Sequence, residues 1–336
     1  MKRVYAIYIL SLLACGGEPE KPTATQTTPP PVTSAPAASS AQAVEPPSSA
    51  DTGKGMQALQ ANDLPGAKTA FEAAIAKNGK DADAHHYLGV TLEKMGDKAG
   101  AEKEYKQALA IKPDLAEAAA NLGAIYVDGQ KWDDAVTVLQ AAAKRRADSS
   151  PVFFNLGLAL AGKGDQAGAT KAFDQALKLT PSDAMLLYTY GHILAGWKQG
   201  EAAVQKLKAA SAAASDPELL GSIGQELLLL RAVPECIAAF DKAISTKDGA
   251  QFRTERALCK LAAKDEPGAT KDLEAAVAAD PKYALAHYWL GTHRMGQKKF
   301  PEAIKEFEAY LKLEPNGPKS KGAHEAIAIA KKGGKK

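Results

Sequence analysis

Eight large apolar residues recur along this chain in near-constant register. Phe71, Tyr105, Leu139, Phe173, Leu207, Phe240, Leu273 and Phe307 stand 34, 34, 34, 34, 33, 33 and 34 residues apart. Four residues before each is a small side chain: Ala67, Ala101, Ala135, Ala169, Ala203, Cys236, Ala269 and Ala303. Three residues after each comes Ala74, Ala108, Ala142, Ala176, Ala210, Ala243, Ala276 and finally Tyr310. Twelve residues ahead of each small residue stands Gly55, Gly89, Gly123, Gly157, Gly191, Gly224, Ala257 or Gly291. Self-similarity at this period specifies a repeat array, in which each unit buries its apolar face only against its neighbours.

Small, large and small residues at offsets 0, +4 and +7 share one face of a helix. Each repeat is therefore expected to be a helix–turn–helix hairpin. The glycine and the small residue let its two helices approach closely, and the large residue is expected to fill the gap to the next repeat. Breakers mark the turns at Gly96, Gly129, Gly164 and Gly296. Pro113, Pro181, Pro281 and Pro315 are expected to end second helices. Alanine outnumbers valine, isoleucine and threonine together, which favours packed helices over sheet.

The pattern resembles the tetratricopeptide repeat (TPR). Its signature is matched by the pairs Leu88-Gly89, Leu122-Gly123, Leu156-Gly157 and Leu290-Gly291, together with the small–aromatic–small–proline series above. The resemblance covers about residues 48–317. It implies an all-α TPR superhelical solenoid of about eight helix-turn-helix repeats with a C-terminal capping helix. Departures are Ala257 for glycine, Cys236 for alanine, and Arg253 and Arg256 where bulky apolar residues are usual, so repeat seven is the weakest. The segment His324–Ala330 reads as the cap that a terminal repeat needs.

Ahead of the repeats, Lys2 and Arg3 precede a short apolar run, Val4–Leu13, too short to span a bilayer. The run ends in Leu12-Leu13-Ala14-Cys15, which resembles the lipobox of bacterial lipoproteins. That resemblance implies that Cys15 is lipidated and becomes the mature N-terminus. Gly16 after it favours the outer membrane, facing the periplasm. Residues 16–50 are dense in proline, serine, threonine and alanine and lack the large apolar residues of a core. They are expected to form a disordered tether reaching roughly 100 Å when extended. The expected organisation is a signal peptide over 1–14, the lipidated cysteine and tether over 15–50, the solenoid over 51–317, and the cap with its basic tail over 318–336.

Catalytic chemistry finds no foothold. The six histidines, His85, His86, His192, His287, His293 and His324, form no metal-ligand spacing, and no phosphate loop or nucleophile elbow is present. The expectation is a non-enzyme with no cofactor, no metal and no small-molecule substrate. Once Lys2 and Arg3 are removed, 40 basic and 39 acidic side chains remain, a balance that does not support nucleic-acid binding. Cys236 and Cys259 read either as two buried thiols or as a disulfide joining repeats six and seven.

Binding is the stronger class. The TPR resemblance implies a concave groove lined by repeat positions 2, 5, 9 and 12. Here those include His86, Val90, Phe154, Leu158, Met185, Tyr188, His192, Leu228, Leu285, Tyr288 and Met295. Apolar side chains at solvated positions mark a partner surface. Some of them also suit packing between repeats. Asn121 and Asn155 recur where chaperone-binding members hold a carboxylate, but without the accompanying lysines. The partners expected are envelope proteins or peptide segments, with the membrane reached through the lipid anchor. A narrower alternative is a pilotin-like role in secretin or type IV pilus assembly. The tail Lys331–Lys336 suits contact with anionic lipid but reads first as a solvated helix end.

Overall fold

A computed structural model of the protein describes residues 49–333, in which seventeen α-helices occur and no strand. The signal run, Cys15, the tether up to residue 48 and the last three residues of the basic tail lie outside the described residues. The chain divides into two compact units at Leu186/Leu187.

The first unit holds four hairpins: α1 (Ala50–Gln60) with α2 (Leu64–Lys77), α3 (Ala82–Lys94) with α4 (Lys98–Ile111), α5 (Ala116–Asp128) with α6 (Trp132–Arg145), and α7 (Ser150–Gly162) with α8 (Gln166–Leu179). Helix α9 (Ala184–Gly196) crosses the division. The second unit holds most of α9, its partner α10 (Gly200–Ala213), then α11 (Pro217–Leu229) with α12 (Val233–Thr246) and α13 (Ala250–Ala262) with α14 (Glu266–Ala279). It ends with α15 (Ala284–Gly296) and α16 (Phe300–Leu313), followed by α17 (Ser320–Gly333).

The four residue series explain the hairpins. Ala67, Ala101, Ala135, Ala169, Ala203, Cys236, Ala269 and Ala303 have no exposed surface. The large residue lies against the glycine of its own hairpin, where the sequence pattern pointed to the next repeat. A Cβ added at Gly55 would stand 2.5 Å from the Phe71 ring, and one at Gly89, Gly157 or Gly224 2.5–2.6 Å from Tyr105, Phe173 or Phe240. The reason is geometric: an aromatic ring fills the space that the missing side chain leaves between two helices. It still reaches the following hairpin, as Phe71 stacks on Tyr87 at 5.9 Å. Ala169→Leu is therefore expected to overpack a contact with no free volume and to cost about 1–3 kcal/mol. Lys171→Leu, on the exposed side of the same helix, should change the urea midpoint little. Equal losses at the two positions would show that the register is wrong.

Each hairpin turn places one residue in the left-handed region: Asn62, Gly96, Gln130, Gly164, Lys198, Arg231, Lys264 and Lys298. The turn geometry is thus constant although glycine occupies it only twice. Gly129 directly precedes Gln130, and Gly196 and Gly296 stand two residues before Lys198 and Lys298. Aspartates cap the second helices of repeats one, two, four and seven: Asp63, Asp97, Asp165 and Asp265 each accept a hydrogen bond from the glycine three residues on. Pro113, Pro181, Pro281 and Pro315 follow the ends of α4, α8, α14 and α16.

The terminal helix α17 buries Ala323, Ile327 and Ala330. Phe300, at the start of α16, lies beneath its last residue, Gly333. Helix α17 therefore covers the outward face of hairpin eight.

Candidate functional site

The first helices carry two kinds of side chain at the positions implied as a partner surface. In the first unit, His86, Phe154 and Leu158 are buried and Met185 is 39% exposed. In the second, Tyr188, His192, Leu228, Leu285 and Met295 are half-buried, and Tyr288 is buried at 3% exposure.

The solvent-facing placement expected for His86, Phe154, Leu158 and Tyr288 does not hold: all four are buried, and the rings of His86, Phe154 and Tyr288 pack against aromatic side chains on the second helix of their own hairpin. Asn155 Nδ2 donates to Ala120 O at 3.0 Å, which sets the approach of α7 to α5. Phe154 tilts against Phe173 at 6.1 Å. His86 lies between Tyr87 and Tyr105, and burial pushes its imidazole down to about 4, so the ring is neutral at pH 7. Asn121 Nδ2 lies 3.3 Å from its Nε2 and 3.4 Å from the Tyr105 hydroxyl. Tyr288 stands edge-on to Trp289, Phe307 and Tyr310. Lys319 Nζ lies 5.7 Å from the centres of both the Tyr288 and Trp289 rings.

Tyr188 is half-buried. It stacks on His192 at 6.3 Å, one helical turn along α9. His192 Nδ1 lies 3.3 Å from Glu226 Oε2 on α11, without hydrogen-bond alignment. Leu228, Leu261, Leu285 and Met295 pack onto a single core cluster while remaining partly exposed, and Leu229 beside them is 44% exposed. The second unit therefore presents half-buried apolar side chains from α11, α13 and α15.

A set of polar pairs inside hairpins went unread in the sequence. His85 Nδ1 lies 2.6 Å from Glu104 Oε2, and His287 Nδ1 lies 2.6 Å from Glu306 Oε2. Both pairs are 19 residues apart and occupy the same repeat register, a recurrence the sequence does carry. His287 Nε2 also faces Pro281 O at 3.0 Å. Both ring nitrogens thus meet acceptors, and the Glu306 carboxylate, against the cost of burial, holds the imidazole above its ordinary range.

Hairpin seven resolves the anomaly of Arg253 and Arg256. Arg256 forks onto Asp272 through Nε at 2.7 Å and Nη2 at 2.5 Å, and reaches Asp241 through Nη1 at 2.6 Å. Lys260 Nζ adds a contact to Asp272 at 2.8 Å. Burial alone would raise the Asp272 carboxyl, but Arg256 and Lys260 outweigh it and hold it below its ordinary range. Arg253 forks onto Asp248. Cys236 on α12 and Cys259 on α13 form a disulfide with a Cα–Cα distance of 6.1 Å.

Among the described residues no group of three or more histidine, cysteine or carboxylate side chains is arranged to hold a metal, and no helix is long and apolar enough to cross a membrane. What the first helices offer chemically is apolar contact, aromatic stacking and carboxylates.

A tetratricopeptide repeat family model matches residues 52–116, 120–184 and 254–318, together more than half of the chain. The Hsp70-Hsp90 organizing protein of Triticum aestivum is 25% identical over 223 residues, which cover 64% of this chain and 38% of that protein. Protein FlbA of Caulobacter vibrioides is 25% identical over 199 residues, 49% of this chain and 33% of its own length. The chain thus spans well under half the length of these curated relatives. Among solved structures, the C-terminal part of a TPR repeat-containing protein from Cytophaga hutchinsonii superposes with a TM-score of 0.56 at 17% identity, covering 70% of this chain and 97% of that one. Yeast Tom70 does so with a TM-score of 0.50 at 19% identity, covering 87% and 66%. These structural likenesses are of fold. With the paired helices, the glycine–aromatic contacts and the matched segments in agreement, the chain belongs to the tetratricopeptide repeat family.

Proposed function

We propose that this protein is a non-enzymatic scaffold, anchored to the bacterial cell envelope through a lipid on Cys15, that holds partner proteins or peptide segments on the first helices of its repeats. The observation that carries the binding reading is the half-buried apolar side chains of the second unit: Tyr188, Leu228, Leu261, Leu285 and Met295. Such residues retain area for a partner to cover. The Hsp70-Hsp90 organizing protein of Triticum aestivum, a relative named for organising other proteins, supports the same class of role.

The anchoring reading rests on the lipobox-like run, and the cysteine pairing adds to it. A buried disulfide suits an exported chain in an oxidising compartment. With Cys236 and Cys259 joined, Cys15 is the remaining cysteine. Intact mass measurement of the mature protein is expected to show a diacylglyceryl-modified Cys15 as its first residue. Cleavage elsewhere, or a Cys15→Ala chain that still fractionates with the outer membrane, would remove the anchor.

Binding is tested at Tyr188. Crosslinking in the native envelope identifies the partner, and affinity is then measured with the purified pair. Tyr188→Ala is expected to weaken binding roughly thirtyfold, equivalent to about 2 kcal/mol, with little change in thermal midpoint. Unchanged affinity would place the surface elsewhere, and an unfolded variant would make Tyr188 a core residue. Recovery of a secretin as the partner would narrow the role to a pilotin-like one in pilus assembly.

A further inference from the structure

Helix α13 carries three cations and one carboxylate, and the fold pairs the cations with other residues. Arg253 is held by Asp248, Arg256 by Asp272 and Asp241, and Lys260 by Asp272. Glu255 on the same helix receives none of them. Its Oε1 accepts one hydrogen bond, from Gln225 Nε2 at 3.2 Å on the neighbouring first helix α11. A neutral amide stabilises a carboxylate less than a cation does. Glu255 is partly exposed, yet the protein around it strips enough water to push the carboxyl up to about 7, only partly offset by Gln225. On the same first helices lie the half-buried Leu228, Leu261 and Leu285, with Leu229 exposed.

We propose that this face of the second unit takes a partner segment that is both apolar and cationic, seating a lysine or arginine side chain on Glu255. The proposal rests on the binding reading above and assigns the chemistry of the partner. Charge complementarity selects the occupant: the partner supplies the cation that Arg253, Arg256 and Lys260 are too engaged to give. An acidic apolar segment would set a second carboxylate against Glu255 in a poorly hydrated place, which disfavours it.

Two synthetic amphipathic helical peptides test this, identical in length and apolar face, one with lysines and the other with glutamates on the polar face. With the full chain, fluorescence anisotropy is expected to show the lysine peptide bound at least about tenfold more tightly, the size of one charge-assisted hydrogen bond. Glu255→Gln should reduce that preference to within about threefold. Its thermal midpoint should not fall, since the amide keeps the shape and the Gln225 contact. Glu308→Gln, at an exposed carboxylate on α16, should leave the preference intact. Equal binding of the two peptides, no binding of either, a Glu255→Gln chain that keeps the full preference, or equal erosion by Glu308→Gln would each overturn the assignment. A native partner that still depends on Tyr188 in those cases would leave the scaffold reading standing. A partner that ignores Tyr188 while the lysine preference follows Glu255 would do the reverse.

Discussion

Asp272→Ala is expected to lower the stability of the second unit by about 3–5 kcal/mol, read as a fall in urea midpoint. Asp272 is 2% exposed and receives the Arg256 fork and the Lys260 ammonium, whose side chains are only 16% and 18% exposed. Removing the carboxylate leaves two positive charges facing each other in a place with little water. The loss is therefore dominated by uncompensated charge rather than by lost contact area. In hairpins three and four the corresponding positions hold apolar pairs, Leu122 with Val138 and Leu156 with Ala172. A double change, Asp272→Leu with Arg256→Leu, should accordingly recover most of the loss, because Lys260 can extend its head group to solvent. A single Asp272→Ala chain that loses less than about 1 kcal/mol would mean that the network behaves as a solvated surface pair.

The repeat was legible because it depends on small and large residues meeting, and a 34-residue period records such meetings directly. Gly157 and Phe173 sit in one another's space, so neither drifts without the other. Which helix the aromatic meets was harder to read, since a period places a residue within its repeat but not against a particular face. The partner surface was less legible for a related reason. Register alone gives Phe154 and Tyr188 the same position, yet Phe154 is buried at 4% and Tyr188 is half-buried. Phe154 packs against Phe173 on the second helix of its own hairpin, whereas Tyr188 stacks on His192 of its own helix, and such packing is a tertiary property. The arginines of repeat seven looked like a breakdown of the pattern. Arg256 answers to Asp272, sixteen residues beyond it on the partner helix of the same hairpin, and Arg253 to Asp248, just ahead of α13. The His85–Glu104 and His287–Glu306 pairs show that such compensations do leave a trace in the sequence, as a polar pair recurring at one register.

Replacing both Cys236 and Cys259 with alanine is expected to cost about 3 kcal/mol, the loop-closure entropy of a bond spanning 23 residues. The bond joins the second helix of hairpin six to the first helix of hairpin seven, beside the Arg256–Asp241 contact that links the same two hairpins. It thereby ties down the repeat whose sequence departs most from the pattern. Both cysteines have no exposed surface, so a reductant reaches them only when the hairpins open. Reductant alone should act slowly on the native protein. Reductant with denaturant should lower the midpoint of the native chain to that of the double variant. The cysteines also provide a count. If the bond forms in the native envelope and Cys15 carries its lipid in thioether linkage, protein extracted without reductant offers no thiol to an alkylating reagent, even when unfolded. Two alkylated sites at Cys236 and Cys259 would show that they are buried thiols in the cell, and would remove the support that the disulfide lends to export. One alkylated site at Cys15 would leave the disulfide in place and take away the lipid.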